Sequence, residues 1–374
     1  MIFPFVCYII IMYDRLYGEI RFLKGNKKMI NLEKEIREQP SVLAGICEKN
    51  CETAQKIVDA AKAAGIKNIY FAARGTSDHA CIYAQYLFGI FCGIPCTLGT
   101  PSVFTKYGAH VDLSGHLVIG VSQSGKAEDV IEVLKSAKKD GAMTVAITNV
   151  EDSPIVDVAD YSLFCGAGPE VSIAATKTFT SQMYLLAALV AKWCGCDKLK
   201  AELKALPENA QKFLDTMPAE IEKLAEKYQN IPGATILGRG MSYPIALEGA
   251  LKMLETNKIK MKGYPISDFH HGPIAQIHTG DLVFVLAPAG KVEDDCQEII
   301  RKLHGVEADI VVLTDDADAV FEGCTKVVLP YTGSEFTSVF MQVMFFQMLA
   351  CKMTIVRGID PDVAGVINKV TITK

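Results

Sequence analysis

The chain lacks any excess of basic residues: 38 Lys and Arg stand against 43 Asp and Glu in 374 residues, a formal net charge of −5. Nothing in that balance calls for a nucleic-acid partner. It also lacks the cysteine spacing of a metal site. Cys47/Cys51, Cys92/Cys96 and Cys194/Cys196 lie close in sequence but are not paired as a zinc site requires. A chain this long needs no disulfide framework, and most of the 12 cysteines sit in apolar runs, as reduced core residues do. The apolar start, Met1 to Met12, is too short to span a bilayer. Arg15, Arg21 and Lys24 follow it, whereas a signal peptide carries its positive charges in front. Residues 1–28 differ in character from the amphipathic sequence that opens at Met29, and are expected to be a non-native extension, a membrane anchor being the alternative. The expectation is a cytoplasmic protein with no metal, no cofactor, no nucleic acid and no membrane.

What is present is a globular composition, 50% hydrophobic and 22% charged, at a length that favours two domains. The organising stretch is Leu117-Val-Ile-Gly-Val-Ser-Gln-Ser-Gly-Lys-Ala-Glu-Asp129. Leu117 to Val121 reads as a buried parallel strand, and Val130, Ile131, Val133 and Leu134 fall at helical spacing. Between them, Ser122, Gln123, Ser124 and Gly125 form a polar turn whose N–H groups and helix dipole suit a phosphate. Taken alone, the same turn also fits an ordinary strand-to-helix connection with serine as N-cap.

Strands and helices alternate along the rest. Helical pattern runs from Asn31 to Ala64, broken near its start by Pro40; a strand (Asn68–Ala72) and a helix (His79–Cys92) follow. Further strands are expected at Pro95–Leu98, Thr144–Thr148 and Tyr161–Phe164, with helices at Glu128–Asp140 and Thr178–Trp193. This order implies a parallel sheet covered on both faces. The second half then repeats the first. Gly75 and Gly240 each follow a strand, 165 residues apart, and Gly115–Gly125 matches Gly280–Gly290 at the same offset. Phe179-Thr-Ser reappears as Phe336-Thr-Ser. The copies differ at one telling place: Ser122-Gln-Ser124 has become Ala287-Pro-Ala289, without hydroxyls and with one N–H fewer. A single phosphate site, in copy one, is expected.

In an open parallel sheet ligands bind beyond the carboxyl ends of the strands, so Gly75, Thr76 and Ser77 should face the same crevice as the Ser122 turn. The loop from Gly166 through Glu170 and Ile173 to Lys177 either closes over a ligand or is a plain connection. In copy two, Glu248, Lys252 and Glu255 stand at i, i+4 and i+7. They share one helical face, which is either solvated or, lying just after the Gly238-Arg-Gly-Met turn, suited to proton transfer. His271, before Gly272-Pro273 and outside any apolar pattern, is a candidate proton carrier.

At these residues the chain resembles the tandem sugar-isomerase (SIS) domain family, in particular the isomerase half of glutamine–fructose-6-phosphate aminotransferase and the type II glucosamine-6-phosphate deaminases. Arg74-Gly-Thr-Ser-Asp-His79, Val121-Ser-Gln-Ser-Gly125, Ala174-Ala-Thr-Lys177, Leu247-Glu-Gly-Ala-Leu-Lys252, His271-Gly-Pro273 and Asn368-Lys-Val-Thr371 carry the match, from about Ile30 onward. The resemblance implies two SIS domains, each an α/β flavodoxin-like three-layer sandwich, here placed at residues 67–197 and 233–355. A helical segment (29–66) precedes them, a helical linker (198–232) joins them, and a tail (356–374) closes over the site. It implies that Ser77, Ser122, Gln123 and Ser124 bind a sugar 6-phosphate, with Gly75, Thr76, Gly125, Glu170 and Ile173 around the substrate. It implies that Glu255 moves the proton between C1 and C2, that His271 opens the ring from the neighbouring subunit of a homodimer, and that Lys369 lies over the substrate with Lys252 and Glu248 nearby. Two departures stand out. The spacing after Lys369 is one residue shorter than in the aminotransferase, and Ala127 replaces a phosphate-binding threonine, with Lys126 beside it to compensate.

About 35 residues precede the first family helix, far fewer than a glutaminase domain needs. The expected reaction is therefore deamination of glucosamine 6-phosphate to fructose 6-phosphate and ammonia. The alternatives are an aminotransferase-type isomerase, a fructosamine-6-phosphate deglycase and a non-catalytic sugar-phosphate sensor.

Overall fold

The computed structural model describes residues 29–362 and Lys369. The expected extension at 1–28 and most of the tail, including Asn368 and Thr371 of the last motif, lie outside the described residues.

Helices α1 (Asn31–Arg37) and α2 (Gln39–Ala63) open the chain. Pro40 sits in the first turn of α2, where its missing N–H has no intrahelical partner to lose, so the break comes before it, at Glu38. Copy one follows as β1 (Asn68–Ala72), α3 (Thr76–Leu87), β2 (Cys96–Leu98), α4 (Ser102–Thr105), β3 (His116–Val121), α5 (Glu128–Lys139), β4 (Met143–Thr148), α6 (Pro154–Val158), β5 (Tyr161–Phe164) and α7 (Lys177–Cys194). The expected helix to Cys92 is α3 plus a wider π-helical turn over Phe88–Cys92, closed by left-handed Gly93. Helices α8 (Asp197–Thr216) and α9 (Pro218–Tyr228) connect to copy two. There β6 (Gly233–Gly238), α10 (Tyr243–Asn257), β7 (Lys260–Pro265), α11 (Ile266–Phe269), β8 (Leu282–Leu286), α12 (Glu293–His304), β9 (Asp309–Thr314), β10 (Thr325–Val328) and α13 (Glu335–Val356) complete the described chain.

All strand pairings are parallel, in two five-stranded sheets of order β2-β1-β3-β4-β5 and β7-β6-β8-β9-β10. These are the same order twice, the 2-1-3-4-5 winding of flavodoxin-like folds, as the internal repeat requires. The central strands are buried on both sides, which is why Leu117–Val121 and Leu282–Leu286 are continuous apolar runs rather than alternating ones.

One core runs through both copies. Helix α13 is apolar around its whole circumference and long enough to cross a membrane, yet 83% of its apolar window is buried. It packs on α8, α9, α10 and α1. Its closeness to α10 depends on Gly249, where a Cβ would lie 2.7 Å from the Phe346 ring. Helix α10 in turn packs against α3 of copy one, so the two halves meet where copy one's first turn faces copy two's first long helix.

Candidate functional site

The winding reverses between β1 and β3, and the turns after these two strands open on one crevice. The first delivers Gly75, Thr76 and Ser77 to the start of α3; the second runs from Ser122 to Ala127 and starts α5. Both helix N-termini therefore aim positive dipole ends at the same place. Ser122 N–H continues the sheet by donating to Ile147 O at 3.0 Å, and Gly125 N–H closes the turn on Ser122 O at 3.2 Å. Among the described residues nothing accepts from the Gln123 or Ser124 N–H. Gly125 has φ +65°, and a Cβ there would fall 2.0 Å from Ser153 Oγ, so only glycine fits. Arg74 ties the turns together, its Nε donating to buried Asp129 Oδ2 at 2.6 Å and its guanidinium to Ser102 Oγ at 3.1 Å.

Copy two repeats the backbone and reverses the electrostatics. Ala287 N–H donates to Leu313 O at 2.8 Å, the counterpart of Ser122 to Ile147. Pro288 removes the N–H that Gln123 offers. Ala289 N–H, the counterpart of Ser124, donates to Asp315 Oδ1 at 2.7 Å. The Glu335 carboxylate stands beside the same turn, its Oε2 3.4 Å from where a Cβ on Gly290 would be. Burial pushes the Asp315 carboxyl above the usual range, against the opposing pull of the Ala289 N–H, and burial also raises Glu335. Its own carboxylates thus hold the place an external anion would take.

The second element of the site is on α10. Helix formers fill its length (Ala246, Leu247, Ala250, Leu251, Met253, Leu254) and Pro244 stands in its first turn. The Glu248, Lys252 and Glu255 face is not solvated: Glu248 and Lys252 side chains are 0% and 1% exposed, Glu255 18%. Lys252 Nζ lies 2.6 Å from Glu255 Oε2 and 3.2 Å from Glu248 Oε1, and donates to Thr76 Oγ1 at 3.2 Å. Thr76 donates to Glu248 Oε1 at 3.1 Å, and His79 Nδ1 is 2.7 Å from Glu248 Oε2. Burial disfavours the Lys252 ammonium, but the two carboxylates outweigh it and hold its pKa above the ordinary lysine value. Burial likewise opposes the Glu248 carboxylate, and Lys252 with His79 overcomes it, leaving that pKa below the usual value. The result is one buried ammonium between two carboxylates, of which only Glu255 reaches the crevice.

Consecutive residues join the two elements. Thr76 turns toward α10, while its neighbour Ser77 is buried at the turn that faces Ser122.

The third loop is held from inside. Glu170 Oε1 accepts from Thr176 N–H at 3.0 Å and Thr178 N–H at 3.1 Å, capping α7, and Oε2 accepts from Thr178 Oγ1 at 2.8 Å and Lys369 Nζ at 2.9 Å. Its side chain has no exposure, so it positions the loop and Lys369. Ile173 is half-buried on the same loop. Glu35, from α1, accepts from Val171 and Ser172 N–H. Lys177 is buried, donating to Glu38 at 2.7 Å and Pro169 O at 2.8 Å.

His271 is brought elsewhere. It is exposed on the turn after α11, its N–H donating to Asp268 O at 3.0 Å. Among the described residues no hydrogen bond or ion pair joins it to Glu248, Lys252 or Glu255. Sequence reasoning missed His79 and Glu35. The signal for His79 was its place three residues after Thr76, which puts both on one face of α3; Glu35 carried none.

Comparison with known proteins places this geometry. Residues 64–192 and 230–357 each match the SIS domain. The glutamine–fructose-6-phosphate aminotransferase (isomerizing) of Aquifex aeolicus strain VF5 is 35% identical over 346 residues, 91% of this chain and 57% of that protein. The chain thus spans little more than half the length of such curated relatives. The C-terminal domain of glucosamine-fructose-6-phosphate aminotransferase from Francisella tularensis superposes with a TM-score of 0.80 at 25% identity, covering 90% of this chain and 98% of that one. Glucosamine-6-phosphate deaminase from Thermotoga maritima shares the fold, with a TM-score of 0.73 at 22% identity over 92% of this chain and 100% of that one. Two five-stranded sheets of one winding, each within a matched segment, make this chain a member of the SIS domain family, carrying two SIS domains in tandem.

Proposed function

We propose that this chain deaminates a 6-phosphorylated amino sugar, converting glucosamine 6-phosphate to fructose 6-phosphate and ammonia. The observation that carries the reading is the Glu248–Lys252–Glu255 cluster, tied through Thr76 to the turn that includes Ser77. An anion cradle at one end and a fixed carboxylate at the other suit a sugar phosphate held by its phosphate while a proton moves at its far end.

The 6-phosphate takes the Gln123 and Ser124 N–H groups, the hydroxyls of Ser77, Ser122 and Ser124, and the dipole ends of α3 and α5. His271, supplied by a second copy of the chain in a homodimer, protonates the ring oxygen and takes the proton of the C1 hydroxyl. Glu255 then removes the proton from C2 and returns it to C1, through an enolamine. Lys252 pins Glu255 Oε2, leaving the other oxygen for the substrate, and its charge balances the developing negative charge. Lys369, released from Glu170, holds a substrate hydroxyl. The resulting C2 imine adds water and expels ammonia. Water is the one co-reactant this sequence of steps requires, which favours the deaminating direction.

A second reading has its own support, the 35% identity to an aminotransferase across 91% of the chain: the same site run toward glucosamine 6-phosphate with ammonia delivered to it. Assaying ammonia release from glucosamine, galactosamine and fructosamine 6-phosphates, and sugar formation from fructose 6-phosphate with ammonium, decides among them. Release from glucosamine 6-phosphate is expected. Formation without release favours the second reading. Turnover of neither, with tight sugar-phosphate binding, makes the chain a sensor and overturns both.

A further inference from the structure

His79 has no part in the steps above, yet it makes the shortest contact with the most buried carboxylate of the site. It lies in the first turn of α3, and its Nδ1 is 2.7 Å from Glu248 Oε2. The carboxylate is 0% exposed and ionised, hence acceptor-only, so Nδ1 must carry the proton in this contact. Glu248 therefore has separate donors for its two oxygens: His79 on Oε2, Thr76 and Lys252 on Oε1.

This division bears on Lys252. One ammonium faces two carboxylates, and it sits nearer Glu255, at 2.6 Å, than Glu248, at 3.2 Å. An ion with two partners leans toward the one less satisfied by others. With His79 and Thr76 already donating to Glu248, the partner in need is Glu255. Without the His79 donor, a fully buried oxygen would lose its only partner among the described residues, and the nearest mobile charge able to answer it is Lys252.

We propose that His79 is a positioning residue: its Nδ1–H holds Glu248 so that Lys252 stays on Glu255 and fixes the carboxylate that moves the substrate proton. The proposal rests on the reading of Glu255 as that base. His79 acts two contacts away from Glu255 and not on the phosphate turn, so its loss should fall on kcat and leave KM alone.

The test uses two variants and one measurement on the unaltered protein. His79→Leu keeps most of the volume and removes the donor; kcat should fall roughly 10- to 100-fold, as misplacing a reacting group does, with KM little changed and the thermal midpoint lowered by the unpaired Glu248 oxygen. His79→Asn places an amide N–H near the position of Nδ1 and should recover most of the rate, although it cannot carry a ring proton. Full activity in His79→Leu overturns the proposal, and so does equal loss in both variants. Should His79→Leu fail to fold, nitrogen-15 NMR of the unaltered protein still decides: the Nδ1–H tautomer is expected in the resting enzyme, and the Nε2–H tautomer overturns it. A parallel Glu255→Gln variant separates the premises. Full activity there removes the base assignment, while the tautomer and the asymmetry of Lys252 stand or fall separately.

Discussion

The turn after β3 and the turn after β8 share a backbone and differ in what their N–H groups meet. In copy one the Gln123 and Ser124 donors have no protein acceptor among the described residues, and the Ser122 and Ser124 hydroxyls line the same spot. In copy two proline deletes the first donor, Asp315 takes the second and the Glu335 carboxylate stands beside Gly290. The residue corresponding to Asp315 in copy one is Asn149, an uncharged amide turned away to hold Ala167 N–H and Gly168 O at 2.9 and 2.8 Å. On the proposed reading of copy one as an anion site, its duplicate is silenced less by losing its shape than by acquiring internal anions. The preference of a helix N-terminus for negative charge persists in both copies, and only its source differs.

Several changes break or sharpen this contrast, and the largest lies outside either turn. Glu255→Gln removes the proposed general base and should lower kcat about 10²- to 10⁴-fold at nearly constant KM, read by steady-state ammonia release. A loss in KM alone would move the proton transfer elsewhere. Next come Ser122→Ala and Ser124→Ala, each removing a hydrogen bond to a charged group worth roughly 1.5–3 kcal/mol, or about 10- to 100-fold in KM for the phosphorylated sugar. An unphosphorylated sugar should not register the change.

The reverse experiment is Pro288→Gln combined with Asp315→Ala, which restores one donor and frees another in copy two. A second, weaker inorganic phosphate should then bind, counted by titration calorimetry; a single site in both proteins would show that the freed donors are insufficient. Asp315→Asn alone addresses stability. Burial raises the folded-state pKa of Asp315 above its unfolded value, so the native chain holds the proton more tightly. Stability from this group is complete below the unfolded pKa and is lost as pH rises through the folded one. The asparagine variant escapes that loss. Its Tm should exceed the parent's at pH 7, with the gap closing as pH falls into the ordinary aspartate range. A lower Tm at pH 7 would mean the carboxylate is a net stabilising cap. The smallest effect is expected of Ala289→Ser, which adds a hydroxyl to a turn whose donors are already occupied; KM should stay within about two-fold.

Much of copy one's turn was legible beforehand because its signals are local. A β-branched run, a break into Ser122-Gln-Ser-Gly125 and a helical period after it lie within 20 residues, and the strand bounds expected there came within one residue of those observed. The α10 face was legible only in part. Spacing placed Glu248, Lys252 and Glu255 together but left open which way they faced, since a solvated ion pair and a buried one have the same period. The partners that settle it, Thr76 and His79, are 172 and 169 residues away from Glu248. Glu35 was invisible for the same reason, its acceptor role depending on Val171 and Ser172, 136 and 137 residues along.

By itself the sequence determined the two-copy α/β plan, the single hydroxyl-lined turn and the identity of the acid–base candidates, all of which follow from periodicity, turn chemistry and one internal repeat. The tertiary structure alone decided the electrical state of the site. Packing α10 against α3 excludes water from Glu248 and Lys252, and in that low-dielectric setting each charge must be matched by a neighbour brought from far along the chain. Packing of α3 on α10 brings Thr76 and His79 of copy one to Glu248 of copy two, pairing of β8 with β9 brings Asp315 to Ala289 within copy two, and these contacts decide which donors are left for a ligand.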